Sequence, residues 1–131
     1  STPVVRLISS ETTDRVLGAA IEVHRILGPG LLESAYEECL CDEFCSRDIP
    51  FRRQVHLPVD YKGKKFDCGY RMDLIVESLV VVEVKAVEEV LPVHLAQFLT
   101  YLRHGEHEVG LLLNFNVARL SDGIYRRVLT R

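Results

Sequence analysis

The first third of the chain has hydrophobic residues at the three- and four-residue spacing of amphipathic helices. A first helix is predicted to begin near Ser10, a good N-cap residue, and to end at Gly28-Pro29-Gly30, which cannot continue the helical ladder. A second helix is predicted from Leu31 to Arg47. The apolar stripes of the two helices are Val16, Ala19, Ala20, Val23, Ile26 and Leu27, and then Leu32, Tyr36, Leu40 and Phe44.

The second predicted helix also carries an acidic side. We expect four of its acids to form a solvated face, namely Glu37, Glu38, Asp42 and Glu43. Glu33 differs from these because it lies in the first turn, beside the apolar stripe and next to the Gly-Pro-Gly break. Its carboxylate can therefore turn inward.

From Phe51 onward the hydrophobic period changes to two, which is typical of strands. A half-buried strand is predicted from Phe51 to Tyr61, and Pro58 within it indicates at least one unpaired edge. Lys62-Gly63 predicts a tight turn into a second strand, 66–76, and Glu77-Ser78 predicts a reversal into a third, 79–87. The three strands should form an antiparallel meander.

The rest of the chain predicts one further helix and two strands. The helix should run over 93–104, where Leu95, Phe98, Leu99 and Leu102 form an apolar face, and Gly105 should end it. The strands are a continuous apolar run, 109–115, and a weaker basic run, 124–129. The order ααβββαββ predicts an α/β fold with a central mixed sheet flanked by helices.

Composition limits the classes of protein to consider. At 131 residues the chain has the size of a single domain, residues 1–131, and its 47% hydrophobic and 27% charged residues are typical of a globular protein. No apolar run approaches the ~18 to 20 residues of a membrane helix. Residues 1–10 lack the features of an export signal, so a cytoplasmic location is expected. The net charge of −3 provides no global attraction to nucleic acid.

The four cysteines do not have the spacing of a metal knuckle or a local disulfide. They are Cys39, Cys41, Cys45 and Cys68. Free cysteine is among the most often buried residue types, so we expect small buried apolar side chains here.

The run Val80–Val87 stands apart because it places two charged groups within apolar, β-branched residues. Alternate residues of a strand point to opposite faces, so Glu83 and Lys85 share one face while Val82 and Val84 point to the other. Asp73 lies on the preceding predicted strand and can meet Glu83 on the same side of the sheet. The resulting pattern is D-x9-E-x-K.

Two carboxylates and an ammonium on neighbouring strands suggest metal-assisted phosphodiester hydrolysis. Carboxylates brought close together raise each other's pKa unless a cation lies between them, and Mg²⁺ or Mn²⁺ suits such oxygen ligands. The ion can lower the pKa of a water, while Lys85 can orient the nucleophile and offset developing charge. The charge pattern alone somewhat favours the alternative, a structural ion pair between Glu83 and Lys85 at a strand end with Asp73 exposed.

Several segments together resemble the PD-(D/E)xK nuclease superfamily. The D-x9-E-x-K pattern is followed by a helix with Gln97 and Tyr101, a Q-x-x-x-Y element similar to that of the RecB-like branch. The segments 30–36, 57–63 and 110–116 resemble the GxxExxY family of that superfamily. The likeness extends over about residues 15–128, and it implies a restriction-endonuclease-like fold.

The resemblance also implies a role for each matching residue. Asp73 and Glu83 would be metal ligands, together with the backbone carbonyl of Val84, and Lys85 would be the catalytic lysine. Glu33 would complete or tune the metal shell. Gln97 with Tyr101 would position the water, the lysine or a phosphate.

The expected activity is Mg²⁺-dependent hydrolysis of DNA. Candidate phosphate contacts are the basic residues Arg52, Arg53, Lys62, Lys64, Lys65, Arg126 and Arg127, although each cluster could be solubilising surface. Nothing resembles a DNA-recognition module, so strong sequence specificity is not expected. The alternative is an inactive nuclease-fold module that binds nucleic acid or protein, as a homo-oligomer or within a larger complex.

Overall fold

The computed structural model describes residues 3–129 of the chain, so residues 1–2 and 130–131 of the predicted domain lie outside the described part. Three helices are present: α1 Pro3–Leu27, α2 Glu33–Ser46 and α3 Pro92–His104. The strands are β1 Phe51–His56, β2 Val59–Tyr61, β3 Lys64–Phe66, β4 Arg71–Val76, β5 Val80–Lys85, β6 Val109–Asn114 and β7 Ile124–Val128. A short 3₁₀-helix, Leu120–Gly123, precedes β7.

Five strands form one mixed sheet in the order β1-β4-β5-β6-β7. The first three are antiparallel neighbours, β5 and β6 are parallel, and β7 is antiparallel to β6. This confirms the predicted α/β architecture with a central mixed sheet and an antiparallel meander, and the structure adds that α3 connects two parallel strands. As Pro58 indicated, β1 lies at an edge of the sheet.

The helices cover both faces of the sheet and so define two cores. On one face α1 and α2 pack most of their predicted apolar stripes against residues such as Val82, Val84 and Leu111. The stripe prediction is wrong for Ile26 and Leu32, which are 64% and 77% exposed. On the other face α3 contributes Phe98 and Leu102, which pack on Val81 and Leu112. Because β5 and β6 are covered on both faces, their sequences are mainly apolar, and Glu83 and Lys85 of β5 are the charged exceptions.

Helix α1 starts earlier than its apolar stripe predicted. The helix begins at Pro3, and Ser10, the predicted N-cap residue, lies within it. Thr12 donates a hydrogen bond to Glu77 Oε1 at 2.6 Å, and Arg15 binds both carboxylate oxygens of Glu77 at 2.6 and 3.0 Å. This tertiary contact holds α1 against the loop after β4.

The predicted first strand is in fact two elements. The main sheet keeps Phe51–His56, whereas Val59–Tyr61 pairs with Lys64–Phe66 in a separate hairpin around the predicted Lys62-Gly63 turn. The break falls at Leu57-Pro58, because Leu57 is buried and donates its N–H to the carbonyl of Tyr70, while Pro58 has no N–H to donate. Consequently β4 begins at Arg71, later than predicted.

The loop between β4 and β5 contains three residues, not two. Val76 pairs with Val80, which leaves Glu77, Ser78 and Leu79 in the loop. Glu77 and Ser78 both have a positive φ, at 52° and 58°. The added residue shifts the register by one position relative to a two-residue turn.

The cysteine prediction is wrong for three of the four residues. Only Cys41 is buried, and desolvation raises the pKa of its thiol to about 11. Cys39, Cys45 and Cys68 are exposed. None of the helices in the described part of the chain combines the length and the apolar character needed to cross a membrane.

Candidate functional site

The carboxylates of Asp73 and Glu83 meet where β4 and β5 separate. The regular pairing of the two strands ends at Leu74 opposite Val82, and one further step of the same register sets Asp73 opposite Glu83. The backbone N–H of Asp73 donates to Glu83 Oε1 at 3.1 Å, and the N–H of Val84 donates to Asp73 Oδ2 at 2.9 Å. The two side chains thus bridge the diverging strands.

This pair is electrostatically costly without a cation. Glu83 is only 7% exposed. Burial, and next the charge of Asp73, raise the pKa of Glu83 to about 8. Burial also raises the pKa of Asp73, although the hydrogen bond from Val84 N–H opposes that rise. At neutral pH, and with no cation bound, Glu83 therefore holds a proton that a metal ion would displace.

Lys85 lies two residues beyond Glu83 on the same strand and is half-buried. Together with Glu83 it lines a small cavity of about 110 Å³ under α3, whose other polar walls are Arg71, His94, Gln97 and Tyr101. Lys85 and Glu83 therefore face one cavity. Arg71 is exposed at this cavity, and it is a further cationic group that sequence analysis did not assign to the site.

Helix α3 brings Gln97 and Tyr101 to the same cavity. Gln97 Nε2 donates to Tyr101 Oη at 2.9 Å, so the two side chains form one polar unit across a helical turn. His94, one turn earlier, accepts the backbone N–H of Leu91 at its Nδ1 atom, at 2.9 Å. His94 therefore also stabilises the start of the helix.

Glu33 is the first residue of α2, and the structure places it next to β5 rather than with the carboxylate pair. Its Oε2 accepts the backbone N–H of Ala86, directly after Lys85, at 3.3 Å. The loop before it is held by Tyr36, whose hydroxyl donates to the carbonyl of Gly28 at 2.6 Å and accepts the N–H of Leu31 at 3.1 Å. Tyr36 in turn stacks on Phe115, with ring centroids 4.7 Å apart.

Glu37 was wrongly expected on a solvated face. It is 8% exposed, and it accepts hydrogen bonds from Arg53 Nε at 2.6 Å and from Gln54 Nε2 at 3.1 Å. Arg53, a candidate phosphate contact, forms this ion pair and a second one with Glu38. The four-residue spacing of Glu33 and Glu37 on one helix is the sequence signal that indicates a shared face.

Gln54 links Glu37 to Asp73. It lies opposite Asp73 in the pairing of β1 with β4, and its Nε2 is 3.5 Å from Asp73 Oδ1. Its φ of 53° lies in the left-handed region, which is unfavourable for a residue with a side chain. Strained backbone of this kind persists only where the surroundings enforce it.

Asn114 is a second buried polar residue beside the site. It lies opposite Lys85 in the parallel pairing of β5 with β6 and is 2% exposed. Its side-chain amide accepts the N–H of Val87 at 3.1 Å and donates to the carbonyl of Val87 at 2.9 Å. Asn114 thereby fixes the chain just after Lys85.

The donor set fits a hard divalent cation held by two carboxylates. Among residues 3–129 no three His, Cys, Asp or Glu side chains lie close enough together to form a metal cluster, so Glu33 does not join Asp73 and Glu83 in one. Mg²⁺ in proteins is commonly bound by one or two carboxylates and completes its shell with water and substrate phosphate. Val84 places its peptide beside Asp73, as its N–H bond shows.

Comparison with known proteins yields one result. A family model described as PD-(D/E)XK nuclease superfamily matches residues 10–128, which is most of the chain. Neither the curated proteins nor the solved structures yielded a match.

Proposed function

Because the chain belongs to the PD-(D/E)XK nuclease superfamily, we propose that it hydrolyses phosphodiester bonds of DNA in a reaction that requires Mg²⁺ or Mn²⁺. The observation that carries this proposal is the meeting of Asp73 and Glu83 beside Lys85 at the point where two neighbouring strands separate. Within the superfamily, we propose that the chain is a member of the GxxExxY family, and the segment Gly30–Tyr36 supports this proposal.

Asp73 and Glu83 would hold the metal ion, and the carbonyl of Val84 would be a further ligand. When bound, the ion polarises a phosphoryl oxygen and lowers the pKa of a water. Binding of the ion would require Glu83 to release its proton, and Asp73 and Glu83 would then both hold the cation as carboxylates. Burial makes the two neighbouring carboxylates of Asp73 and Glu83 unfavourable when no cation is bound. The same low local dielectric would strengthen their attraction for a bound cation.

Lys85 is the group that acts on the nucleophile. Its ammonium orients the attacking water and offsets the negative charge that develops on the phosphoryl oxygens. Gln97 and Tyr101 position this water or a phosphate oxygen from the opposite wall of the cavity. Arg71 provides a guanidinium at the same cavity that can bind a phosphate with two hydrogen bonds.

Glu33 has a supporting role in this mechanism. By accepting the N–H of Ala86 it holds the chain after Lys85 from one side, while Asn114 holds it from the other. Both contacts restrict where the lysine ammonium can lie. Contacts to phosphates position a nucleic acid but carry no sequence information, so this domain by itself would show little sequence specificity.

The decisive experiment measures hydrolysis of single- and double-stranded DNA with Mg²⁺ and with Mn²⁺. We expect Glu83→Gln and Lys85→Ala to lower the rate by at least about 100-fold, since the first removes a charged metal ligand and the second removes a cation that offsets negative charge at the reacting phosphate. Glu11→Gln is the matched control because it makes the same change at an exposed position of α1.

Equal rates in the parent and in both site variants would contradict the assignment. DNA binding without hydrolysis in any variant would instead support an inactive nucleic-acid-binding module. Circular dichroism of each variant shows whether the fold is retained.

A further inference from the structure

A second cavity adjoins the candidate site. Its volume is about 400 Å³, and it shares Gln97 and Tyr101 with the cavity of Glu83 and Lys85. Its other walls are mainly apolar and include Leu57, Val59 and Tyr70. A group bound in this second cavity would therefore lie next to the reacting phosphate.

The ring of Tyr70 is the main aromatic surface of this cavity. It is 45% exposed and meets the ring of Tyr101 edge-on, with centroids 5.8 Å apart. Its backbone is fixed, since the carbonyl of Tyr70 accepts the N–H of Leu57 at 3.0 Å. Tyr70 is thus a positioned ring with much of its surface uncovered.

The β2–β3 hairpin extends this aromatic surface. Val59 pairs with Phe66, and Tyr61 pairs with Lys64, so these four side chains lie on one face of the hairpin. Val59 lines the cavity, while Tyr61 and Phe66 are 60% and 47% exposed. The backbone N–H of Asp60 donates to His104 Nδ1 at 3.2 Å and ties the hairpin to α3.

Basic groups accompany these exposed rings. Lys64 lies directly across from Tyr61, and the ammonium of Lys62 lies 5.4 Å from the centroid of the Tyr61 ring. The wall of the cavity also carries the polar side chains of Gln97, Thr100 and His104. Exposed rings interleaved with lysines are typical of surfaces that bind single-stranded nucleic acid.

We propose that the cavity of Tyr70 and Tyr101, together with the aromatic face of the β2–β3 hairpin, binds unstacked nucleobases of a single-stranded segment beside the cleavage site. This inference rests on the proposed function and specifies its substrate class. In a duplex the faces of the bases are stacked inside the helix, so they cannot stack on these aromatic rings. In single strands and frayed ends the faces of the bases are exposed and can stack on the rings.

The test measures binding by fluorescence anisotropy in EDTA, where metal-dependent hydrolysis cannot interfere. The probes are a labelled single-stranded oligothymidine, the same strand with abasic positions, and a blunt duplex. We expect Tyr70→Ala to weaken binding of the single strand by about 5- to 100-fold and to leave duplex binding unchanged. Tyr70→Phe keeps the ring and should bind like the parent.

Ile26→Ala is the control, because it removes an exposed apolar side chain from α1, on the other face of the sheet. Parent-like single-strand affinity in Tyr70→Ala, or an equal loss with the abasic and the normal strand, would overturn the inference. Capture of a protein partner that depends on Tyr70, with no effect on DNA, would overturn it as well.

The two proposals can fail separately. If Tyr70→Ala lost single-strand binding while Lys85→Ala hydrolysed DNA like the parent, the base-binding surface would be supported and the catalytic assignment rejected. If Tyr70→Ala bound single strands like the parent while Lys85→Ala lost hydrolysis, the catalytic assignment would be supported and the base-binding surface rejected.

Discussion

Asp73 and Glu83 are joined across the end of the β4–β5 ladder, where Glu83 Oε1 accepts the backbone N–H of Asp73 at 3.1 Å. The carboxylate of Asp73 in turn accepts the N–H of Val84, the residue after Glu83, at 2.9 Å. Both carboxylates thus replace main-chain hydrogen bonds at the point where the strands separate. Alanine at either position would unpair backbone groups, so the amide variants separate charge from structure more cleanly.

The raised pKa of Glu83 predicts a pH-dependent stability in metal-free buffer. Between its ordinary value of 4.5 and about 8, the folded protein keeps the proton while the unfolded chain loses it. The unfolded state then binds fewer protons, so the free energy of unfolding falls as pH rises through this window. The total loss is at most about 5 kcal/mol, at about 1.4 kcal/mol per pKa unit.

Urea unfolding at a series of pH values from 5 to 9 measures this effect. We expect the decline to be smaller in Glu83→Gln, which cannot ionise. Glu77 does not confound the result. Arg15 lowers the pKa of Glu77, so the contribution of Glu77 to the free energy of unfolding is already complete above pH 4.5, its ordinary pKa. Parallel pH profiles of the parent and Glu83→Gln would show that Glu83 ionises normally in the folded state.

Added Mn²⁺ should stabilise the protein by binding the carboxylate pair. Ligand at 100 times its dissociation constant contributes about 2.7 kcal/mol when it binds only the folded state. The gain should grow as pH rises towards 8, since the ion competes with the proton on Glu83. Thermal unfolding with and without Mn²⁺ measures it, and Asp73→Asn should lose most of the shift while Glu11→Gln retains it. The same shift in Asp73→Asn would place the bound ion elsewhere.

The hydrophobic and polar pattern alone was sufficient to predict the central sheet, but it did not predict the register of β4 and β5 at the site. The charges within Val80–Val87 correctly indicated a buried strand with one polar face. A two-residue turn at Glu77-Ser78, however, would have paired Asp73 with Val82 and separated it from Glu83. The loop also includes Leu79, and this one-residue difference brings the acids together.

Glu37 and the β2–β3 hairpin show a different limit of prediction. An acid on the polar side of a helix is normally solvated, and Glu37 is buried only because Arg53 and Gln54 of an edge strand pack over it. The alternating pattern over Phe51–Tyr61 suits one strand or two equally well. The buried side chain of Leu57 and the missing N–H of Pro58 decide between them in three dimensions.

Gly110→Ala should destabilise the protein and move α3 away from the site. A Cβ atom at Gly110 would overlap Phe98 Cζ and would lie 2.9 Å from Leu102 Cδ2. Overpacking of this kind costs about 1–3 kcal/mol. Because α3 also carries Gln97, hydrolysis should fall by more than the folded fraction does.

Gly18→Ala is the matched control for this change, measured by urea unfolding and by the rate of hydrolysis. It lies within α1, where the nearest atom to an added Cβ is the flexible end of Arg47 at 3.3 Å. Alanine is the better helix former by about 1 kcal/mol, so Gly18→Ala should be neutral or stabilising. Equal stability of Gly110→Ala and the parent would contradict the close packing of α3 on β6.

The left-handed backbone of Gln54 predicts an inversion of the usual ranking of alanine and glycine. Within a strand, glycine is normally less stable than alanine by about 0.5–1 kcal/mol. At a φ of 53° a Cβ atom costs about 1–2 kcal/mol, so Gln54→Gly should be more stable than Gln54→Ala by about 1 kcal/mol. Both variants lose the side-chain amide near Glu37 and Asp73, so both should bind Mn²⁺ more weakly than the parent and by similar factors. Urea unfolding measures the effect of the backbone, and Mn²⁺ titration measures the effect of the lost amide. If Gln54→Ala were more stable than Gln54→Gly, the backbone strain at this position would be contradicted. A Mn²⁺ affinity equal to that of the parent would show that Gln54 does not position Asp73.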